Sequence, residues 1–186
     1  MNIGFAMCGS LCTFDAVFSV MEKVAKTHTV IPILSRPAST IDSRFGSARE
    51  HVQRVADICG RFPLNAIEEV EPIGPKKLLD ALIIAPCTGN TLAKLAHSIA
   101  DGPVTMAAKS HLRNGRPVLI AVSTNDALAG AAENIGKLLA RKNYFFVPFG
   151  QDDPIKKPTS MVADFSKIPE ALAYALEGKQ IQPVLL

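Results

Sequence analysis

The chain has 186 residues, of which 48% are hydrophobic and 20% charged, a composition that suits a globular domain with a sizeable core. Its formal net charge of +3 arises from 20 basic and 17 acidic residues without a long basic run, which argues against a nucleic-acid-binding surface. Small anions remain candidate ligands. We expect one domain over residues 1–186.

The first residues of the chain bear on the cellular location of the protein. The first twenty residues are apolar but lack a basic beginning and contain a Gly-Ser break and Asp15, so they predict a strand turning into a helix rather than a signal peptide. No segment reaches the ~18 uninterrupted apolar residues of a membrane-spanning helix. We therefore predict a cytoplasmic protein.

The cysteines at 8, 12, 59 and 87 are expected to be free thiols, because a reducing compartment disfavours disulfides. Cys8 and Cys12 lack the second Cys or His pair that a zinc site needs. No metal site is predicted.

Strand and helix patterns alternate along the chain. Strands are predicted at 2–7, 29–34, 65–70, 80–86, 116–123 and 143–149, and helices at 13–26, 46–59, 89–99, 103–112, 125–141 and 168–177. The runs "ALII" and "VLIAV" are apolar on both faces, as in parallel strands that helices cover from two sides. The pattern predicts a three-layer α/β/α domain, Rossmann-like or flavodoxin-like, with a mainly parallel sheet.

One irregular segment, at about 150–165, precedes the last predicted helix. It is either an exposed connection, or a flap over a site or an arm between subunits.

Polar loops follow four of the predicted strands, where ligands of such sheets bind. They are "CGSLCT" with Gly9 and Ser10, "SRPAST" with Ser35, "PCTGNT" at 86–91 and "STND" at 123–126. Hydroxyls, amides and helix N-termini suit a phosphate better than a metal. The alternative is that these residues only cap helices.

The absence of two common nucleotide-binding signatures narrows the choice of phosphate-containing ligand. The first turn lacks G-x-G-x-x-G, and "IAPCTGNT" lacks the P-loop pattern, so neither a standard dinucleotide fingerprint nor an NTPase is indicated. Flavin mononucleotide (FMN) has one phosphate and needs no pyrophosphate turn. It fits these loops better.

The segment "PCTGNT" resembles the P-A-S-A-N-T signature of the flavoprotein family that includes cysteine decarboxylases and flavin prenyltransferases. "CGS", Ser35 and "SIADGPV" fall where that family has comparable features, so the resemblance spans roughly residues 2 to 150. It implies FMN with its phosphate on Gly9, Ser10 and Ser35. The other implied flavin contacts are Cys87, Thr88, Gly89, Asn90, Thr91, Ser123 and Thr124.

Nearly the whole chain resembles one branch of that family, through segments such as "STIDSRFGSA" and "FVPFGQDDPIKKPTSMVAD". This branch makes pyridine-2,6-dicarboxylate for the bacterial endospore. The resemblance implies an oxidoreductase subunit, in the cytoplasm of the mother cell, that helps to oxidise a dihydropyridine-type dicarboxylate. It also implies a partner subunit that binds NAD or NADP, and assembly into trimers or multiples of trimers.

Two departures from the family disfavour cysteine-type decarboxylation. The segment "VSTNDAL" keeps only Asn125 of an Asn-rich motif, and no histidine lies at 60–70. We assign no role to the histidines at 28, 51, 97 and 111, and identify no catalytic residue.

A dicarboxylate substrate favours guanidinium donors. Arg44 and Arg49 in "SRFGSAR" are candidates, and Arg44 in its turn is the better one, although either could be a solvated helix residue. Two classes of function stay open at this point. The chain is an enzyme subunit, or it is a binding and assembly module whose partner performs the chemistry.

Overall fold

The computed structural model describes all 186 residues and contains seven strands and eight α-helices. The strands are β1 (Asn2–Met7), β2 (Thr29–Leu34), β3 (Ala81–Cys87), β4 (Val118–Thr124), β5 (Tyr144–Phe146), β6 (Phe149–Gly150) and β7 (Met161–Ala163). The helices are α1 (Phe14–Ala25), α2 (Arg36–Thr40), α3 (Ala48–Cys59), α4 (Ile67–Val70), α5 (Gly89–Ala96), α6 (Pro103–Leu112), α7 (Ala132–Leu139) and α8 (Ile168–Leu176). None of the helices combines the length and apolar character needed to cross a membrane.

The sheet is mostly parallel, with the order β2-β1-β3-β4. Strand β4 also pairs with β5 in parallel at its beginning and with β7 in antiparallel at its end, and β7 in turn pairs with β6. The predicted α/β class with a mainly parallel sheet is confirmed.

The core explains this arrangement. All seven residues of β3 are buried, and six of the seven in β4, so both faces of these strands are covered. Helix α1 packs against α3 and α8, whereas α6 packs against α4 and α5. Forty-nine buried hydrophobic residues form one continuous cluster.

The predicted strand at 65–70 is wrong, because most of it forms α4. Only Leu64 bridges to β2, at Ile33. The Glu69 carboxylate accepts hydrogen bonds from the backbone N–H groups of Asn65 (2.8 Å) and Ala66 (3.1 Å), which starts a helix instead. Short-range capping therefore outweighs the apolar alternation of this segment.

Other boundaries also differ from the prediction. The helix expected at 125–141 begins only at Ala132, because residues 126–131 form turns in which the Asp126 carbonyl accepts from Ala129 and Ala131. The strand expected at 143–149 divides into β5 and β6 on either side of Val147 and Pro148. Helix α2 was not predicted.

The segment at 150–165 is not irregular throughout, because it contains β7. Its outer part is fastened to the loop after β4, where the Thr159 hydroxyl donates to the Asn125 carbonyl at 2.7 Å. The Gln151 amide donates to the Pro158 carbonyl at 2.8 Å. The segment therefore lies beside the carboxyl end of the sheet.

Two glycines should respond oppositely to alanine. A Cβ on Gly74 would lie 2.7 Å from the backbone carbonyl oxygen of Ser110, whereas one on Gly136, inside α7, would meet nothing within 4 Å. We expect Gly74→Ala to lower the free energy of unfolding by ~1–3 kcal/mol through overpacking. Gly136→Ala should raise it by ~0.5–1 kcal/mol through helix propensity. Urea denaturation of both variants checks this, and equal shifts would contradict the packing described.

Candidate functional site

Two neighbouring clefts open at the carboxyl ends of the parallel strands. The helix-end cleft, of about 270 Å³, is lined by Cys8, Gly9, Ser35, Arg36, Pro37, Thr88, Asn90, Thr91, Lys94, Asp101, Gly102, Pro103, Val104 and Thr105. The loop cleft, of about 510 Å³, is lined by Gly9, Ser10, Cys12, Thr13, Thr88, Ser123, Thr124, Asn125, Asp152, Lys157 and Val162. Gly9 and Thr88 belong to both, so the clefts adjoin.

The helix-end cleft takes its name from the N-termini of α2, α5 and α6. Their N-cap residues are Ser35, Thr88 and Gly102. The first turn of a helix leaves backbone N–H groups without intrahelical partners and carries partial positive charge. Three such ends on one wall favour an anion.

Side-chain charges in the helix-end cleft add to this potential. Arg36 has no ion-pair partner, whereas the Lys94 ammonium lies 2.9 Å from the Asp101 carboxylate. That contact lowers the pKa of Asp101 below its usual range. The cleft therefore holds two cations and one compensated carboxylate.

The capping interpretation holds for two of the predicted residues. The Ser35 hydroxyl accepts from the Ala38 N–H, and the Thr88 hydroxyl accepts from the Thr91 N–H, each at 3.4 Å. The Ser35 hydroxyl keeps its own proton for a ligand. The Thr88 hydroxyl lies 3.2 Å from that of Thr91, whose proton is donated to Cys8, so the Thr88 proton is bonded within the chain. Asn90 is exposed, and its side chain has no hydrogen-bond partner in the chain, so its amide is free at the helix-end cleft.

The loop cleft is built from hydroxyl groups. The Ser10 and Ser123 hydroxyl oxygens lie 2.8 Å apart and join the loop after β1 to the end of β4. Thr124 donates to the Asp126 carboxylate and thereby orders the following turn. Cys12 is exposed at the same cleft.

The segment that follows β6 supplies the outer wall of the loop cleft. There the Lys157 ammonium lies 3.1 Å from the Asp152 carboxylate. Burial raises the pKa of Asp152, but hydrogen bonds from Ser160 and Lys157 outweigh it, so this pKa lies below its ordinary value. The hydrogen bond to Asp152 raises the pKa of Lys157. Both side chains are therefore charged near neutral pH.

The three predicted phosphate residues do not all meet in one cleft. Gly9 and Ser35 line the helix-end cleft, but Ser10 faces the loop cleft and bonds to Ser123. A 3-10 turn over Leu11–Thr13 separates Ser10 from α1, which begins at Phe14. This extra turn moves the start of α1 beyond Ser10.

The segment "PCTGNT" needs two corrections. Cys87, the last residue of β3, is fully buried and lines neither cleft, and burial raises its pKa well above the usual value, so the structure contradicts its predicted ligand contact. A Cβ on Gly89 would lie 2.7 Å from an Asp126 carboxylate oxygen and 2.8 Å from the Thr124 hydroxyl. The chain itself therefore requires this glycine.

Thr91 and the loop at the end of β4 lie where predicted. Thr91 is buried behind the helix-end cleft and donates to the Cys8 sulfur at 3.2 Å. Ser123 and Thr124 line the loop cleft. Thr91 forms part of the wall of the helix-end cleft but has no free hydroxyl proton for a ligand, because that proton is donated to Cys8.

Arg44 lies outside both clefts, contrary to its predicted contact with a substrate in this chain. It is exposed, and its guanidinium lies over the Phe45 ring, 4.8 Å from the centroid. Reciprocal backbone bonds between Ser43 and Gly46, of 3.0 and 3.1 Å, form the tight turn that holds it away. Arg49 is likewise exposed.

The histidines line neither cleft. His51 and His111 are buried. Burial lowers the pKa of His111 to about 4, and its Nε2 lies 3.1 Å from the Pro117 carbonyl oxygen. No group of three or more His, Cys, Asp or Glu residues is arranged to hold a metal ion.

Sequence reasoning missed several residues of the clefts. The N-terminus of α6 was signalled by Gly102 and Pro103, since proline is favoured in the first turn of a helix. Arg36 stands two residues after the end of a predicted strand, in the loop "SRPAST", which is the signal that could have assigned it to the site. Asp152 and Lys157 had no local signal, because the return of β7 to β4 places them.

The capping geometry predicts that alanine substitutions at Thr88 and Asn90 have different effects on stability. We expect Thr88→Ala to lower the free energy of unfolding by ~1 kcal/mol, because the N-cap of α5 loses its acceptor. Asn90→Ala, in the first turn of the same helix and exposed, should leave it unchanged within ~0.5 kcal/mol. Thermal and urea denaturation of the two variants measure the difference. A larger loss for Asn90→Ala than for Thr88→Ala would refute the assigned cap.

Comparisons with known proteins identify the family of the chain. The Flavoprotein family model matches residues 1–171. The chain is 44% identical to the B subunit of dipicolinate synthase from Bacillus subtilis (strain 168), over all of this chain and 93% of that protein. The crystal structure of the dipicolinate synthase B subunit from Bacillus halodurans C superposes with a TM-score of 0.91 and 42% identity, covering 100% of this chain and 95% of that one. Flavin prenyltransferase UbiX of Salmonella typhimurium is 28% identical, over 77% of this chain and 78% of that protein.

Proposed function

Because the chain belongs to the Flavoprotein family, we propose that the helix-end cleft binds the phosphate of FMN and the adjoining loop cleft its ring system. The convergence of three helix N-termini carries the phosphate assignment. Gly9 lines this cleft, and the chain itself favours glycine there, because a Cβ would lie 2.9 Å from Pro37. Arg36 supplies the unpaired positive charge.

The loop cleft suits the ring system for two reasons. It joins the helix-end cleft at Gly9 and Thr88, so one elongated ligand can occupy both. Its wall offers the hydroxyls of Ser123 and Thr124 as hydrogen-bonding groups for polar edges of a ring. Bound FMN would supply a two-electron redox centre there.

We infer that the chain serves as the B subunit of a dipicolinate synthase. The likeness to that protein extends over the whole chain, whereas the prenyltransferase matches only 153 residues. The reaction would remove two electrons and two protons from a dihydrodipicolinate-type precursor to give pyridine-2,6-dicarboxylate. Its setting would be the mother-cell cytoplasm during sporulation.

A partner completes this proposal. The relative is named as the B subunit of its enzyme, which implies that a second subunit exists. We identify this partner as the A subunit of dipicolinate synthase, carrying NAD or NADP. Lys157 is the one cationic residue that lines the loop cleft, and in this proposal it contacts a substrate carboxylate.

Arg44 keeps a role only in an assembly. We propose a homo-oligomer, a trimer or a multiple of trimers, in which Arg44 approaches the cleft of a neighbouring copy. Large apolar side chains near it are solvent-exposed in the single chain, namely Ile41 (47%) and Phe45 (45%). Burying them would favour association.

One observation favours the alternative, a binding and assembly module. Both carboxylates that line the clefts, Asp101 and Asp152, are paired with lysines. No histidine is present there. The clefts therefore contain no unpaired carboxylate and no histidine to act as acid or base, and in this alternative the partner performs the oxidation.

Flavin binding is the first test. Wild-type protein should quench FMN fluorescence on titration, and Asn90→Ala should weaken binding by ~1 kcal/mol at unchanged melting temperature, because it loses one hydrogen bond. Lys26→Gln, on an exposed residue after α1, is the matched control with unchanged affinity. Gly89→Val is unsuitable, because it collides with Thr124 and Asp126 of the same chain. Absence of quenching by wild type would refute the cofactor assignment.

The oxidation is tested with the assembled complex. We expect the two subunits together to form pyridine-2,6-dicarboxylate, followed by its ultraviolet absorbance. Arg44→Ala should weaken dicarboxylate binding by ~2 kcal/mol if the ion pair is desolvated. Arg49→Ala is the control.

Stopped-flow absorbance separates the two functions. Bleaching of the flavin band on addition of precursor supports an enzyme subunit. Turnover with nicotinamide and an unchanged flavin band supports the module. Sedimentation of a stable monomer would rule out the role given to Arg44.

A further inference from the structure

A third cavity, of about 330 Å³, lies apart from the loop cleft, between the end of α5, the length of α6 and the start of β5. We call it the basic cavity, because its charged lining residues are Lys109, Arg113 and Arg141 and it contains no carboxylate. It shares only Thr105 with the helix-end cleft. The proposed cofactor does not account for it.

The cations of the basic cavity are not neutralised by the chain. Lys109 and Arg113 are one helical turn apart on α6 and its C-cap, and neither forms an ion pair or a side-chain hydrogen bond. Three positive charges around one cavity without a counter-charge raise its affinity for an anion.

Arg141 is held in place at the cavity wall. Its guanidinium donates to the carbonyl oxygens of Leu95 at 3.0 Å and Ala96 at 2.6 Å, at the end of α5. A guanidinium has five N–H donors, so these two bonds leave others for a ligand. The cation is therefore fixed before any ligand arrives.

The rest of the lining is apolar or aromatic. Half of the ten lining residues are hydrophobic, among them Leu95, Ile99 and Leu112. Tyr144 also lines the cavity, and its hydroxyl has no hydrogen-bond partner in the chain. Burial raises its pKa to about 12, so it stays a donor. An apolar floor beneath a cationic rim matches a ligand with a hydrophobic body and an anionic group.

We propose that the basic cavity binds a small planar aromatic carboxylate, with the ring against the apolar floor and the carboxylate on Arg113 and Lys109. The volume falls in the range of small-ligand sites, ~300–1,000 Å³. Guanidinium and carboxylate pair through two parallel hydrogen bonds. A bare inorganic anion would leave the apolar half uncovered.

The test is calorimetric titration of the full chain with benzoate and benzene-1,3-dicarboxylate. Wild type should bind both more tightly than neutral benzamide. The double variant Lys109→Gln/Arg113→Gln should lose about 100-fold in affinity, roughly tenfold for each charge. Lys26→Gln, on an exposed residue remote from the cavity lining, is the control that should leave this affinity unchanged.

Two further measurements distinguish the basic cavity from the clefts. Saturating FMN should leave benzoate affinity unchanged, and Ala100→Phe should fill the cavity and abolish binding at near-normal melting temperature. Equal affinity in wild type and the double variant, displacement by FMN, or equally tight binding of benzamide would each overturn the proposal. The FMN fluorescence titration tests the cofactor site separately, so failure of the proposal for the basic cavity is distinguishable from failure of the FMN assignment.

Discussion

The complete burial of β3 between β1 and β4 determines where the polar loops of this protein lie. A strand with neighbours on both edges and apolar contacts on both faces can expose polar groups only where it ends. The loops after β1 and β4 end at the same level, which lets the Ser10 and Ser123 hydroxyls meet at 2.8 Å. The start of α5, just after β3, is equally close to the loop after β4, so position 89 requires a residue without a side chain. The two clefts are thus a consequence of core packing.

Backbone N–H groups at helix ends contribute more to the affinity of the helix-end cleft for an anion than the ion pair between Lys94 and Asp101 does. The side chains of Lys94 and Asp101 are 31% and 53% exposed, and exposed pairs of this kind contribute only ~0–1 kcal/mol. Backbone N–H groups at the starts of α5 and α6 are fixed by the helices themselves, so no ordering cost falls on ligand binding. Arg36 adds an exposed, unpaired charge to this set. The cleft is therefore prepared for an anion before the ligand arrives.

The fold could be predicted because long-range packing left a local trace in the sequence. Runs such as "VLIAV" must be apolar on both faces wherever helices cover both sides of a strand. Prediction failed where a short contact reversed the local tendency, as at Glu69, or where turns used the Asp126 carbonyl before a helix began. Such contacts depend on geometry that periodicity does not encode.

The site residues, like the fold, could be predicted only where their position left a local trace in the sequence. The placement of Gly9, Ser35 and Asn90 at a cleft could be predicted because they lie in loops that follow strands, at a known edge of the sheet. Cys87 was misplaced by one position: it still belongs to β3, and Thr88 is the first residue outside. Lys157 reaches the loop cleft only because β7 returns antiparallel to β4, a pairing between segments far apart in the chain.

The clefts offer paired carboxylates and hydroxyl groups rather than a free carboxylate or histidine. In a flavin enzyme the cofactor carries the electrons, and the protein mainly positions the reacting atoms and excludes water. Fixed hydroxyls such as Ser123, which is only 4% exposed, meet that need without a titrating group. A general acid or base would instead need a pKa near the working pH. Lys94 and Lys157 keep Asp101 and Asp152 ionised and bonded, with lowered pKa values. In the proposed reaction the clefts would therefore position the ligand, and neither Asp101 nor Asp152 would serve as an unpaired base.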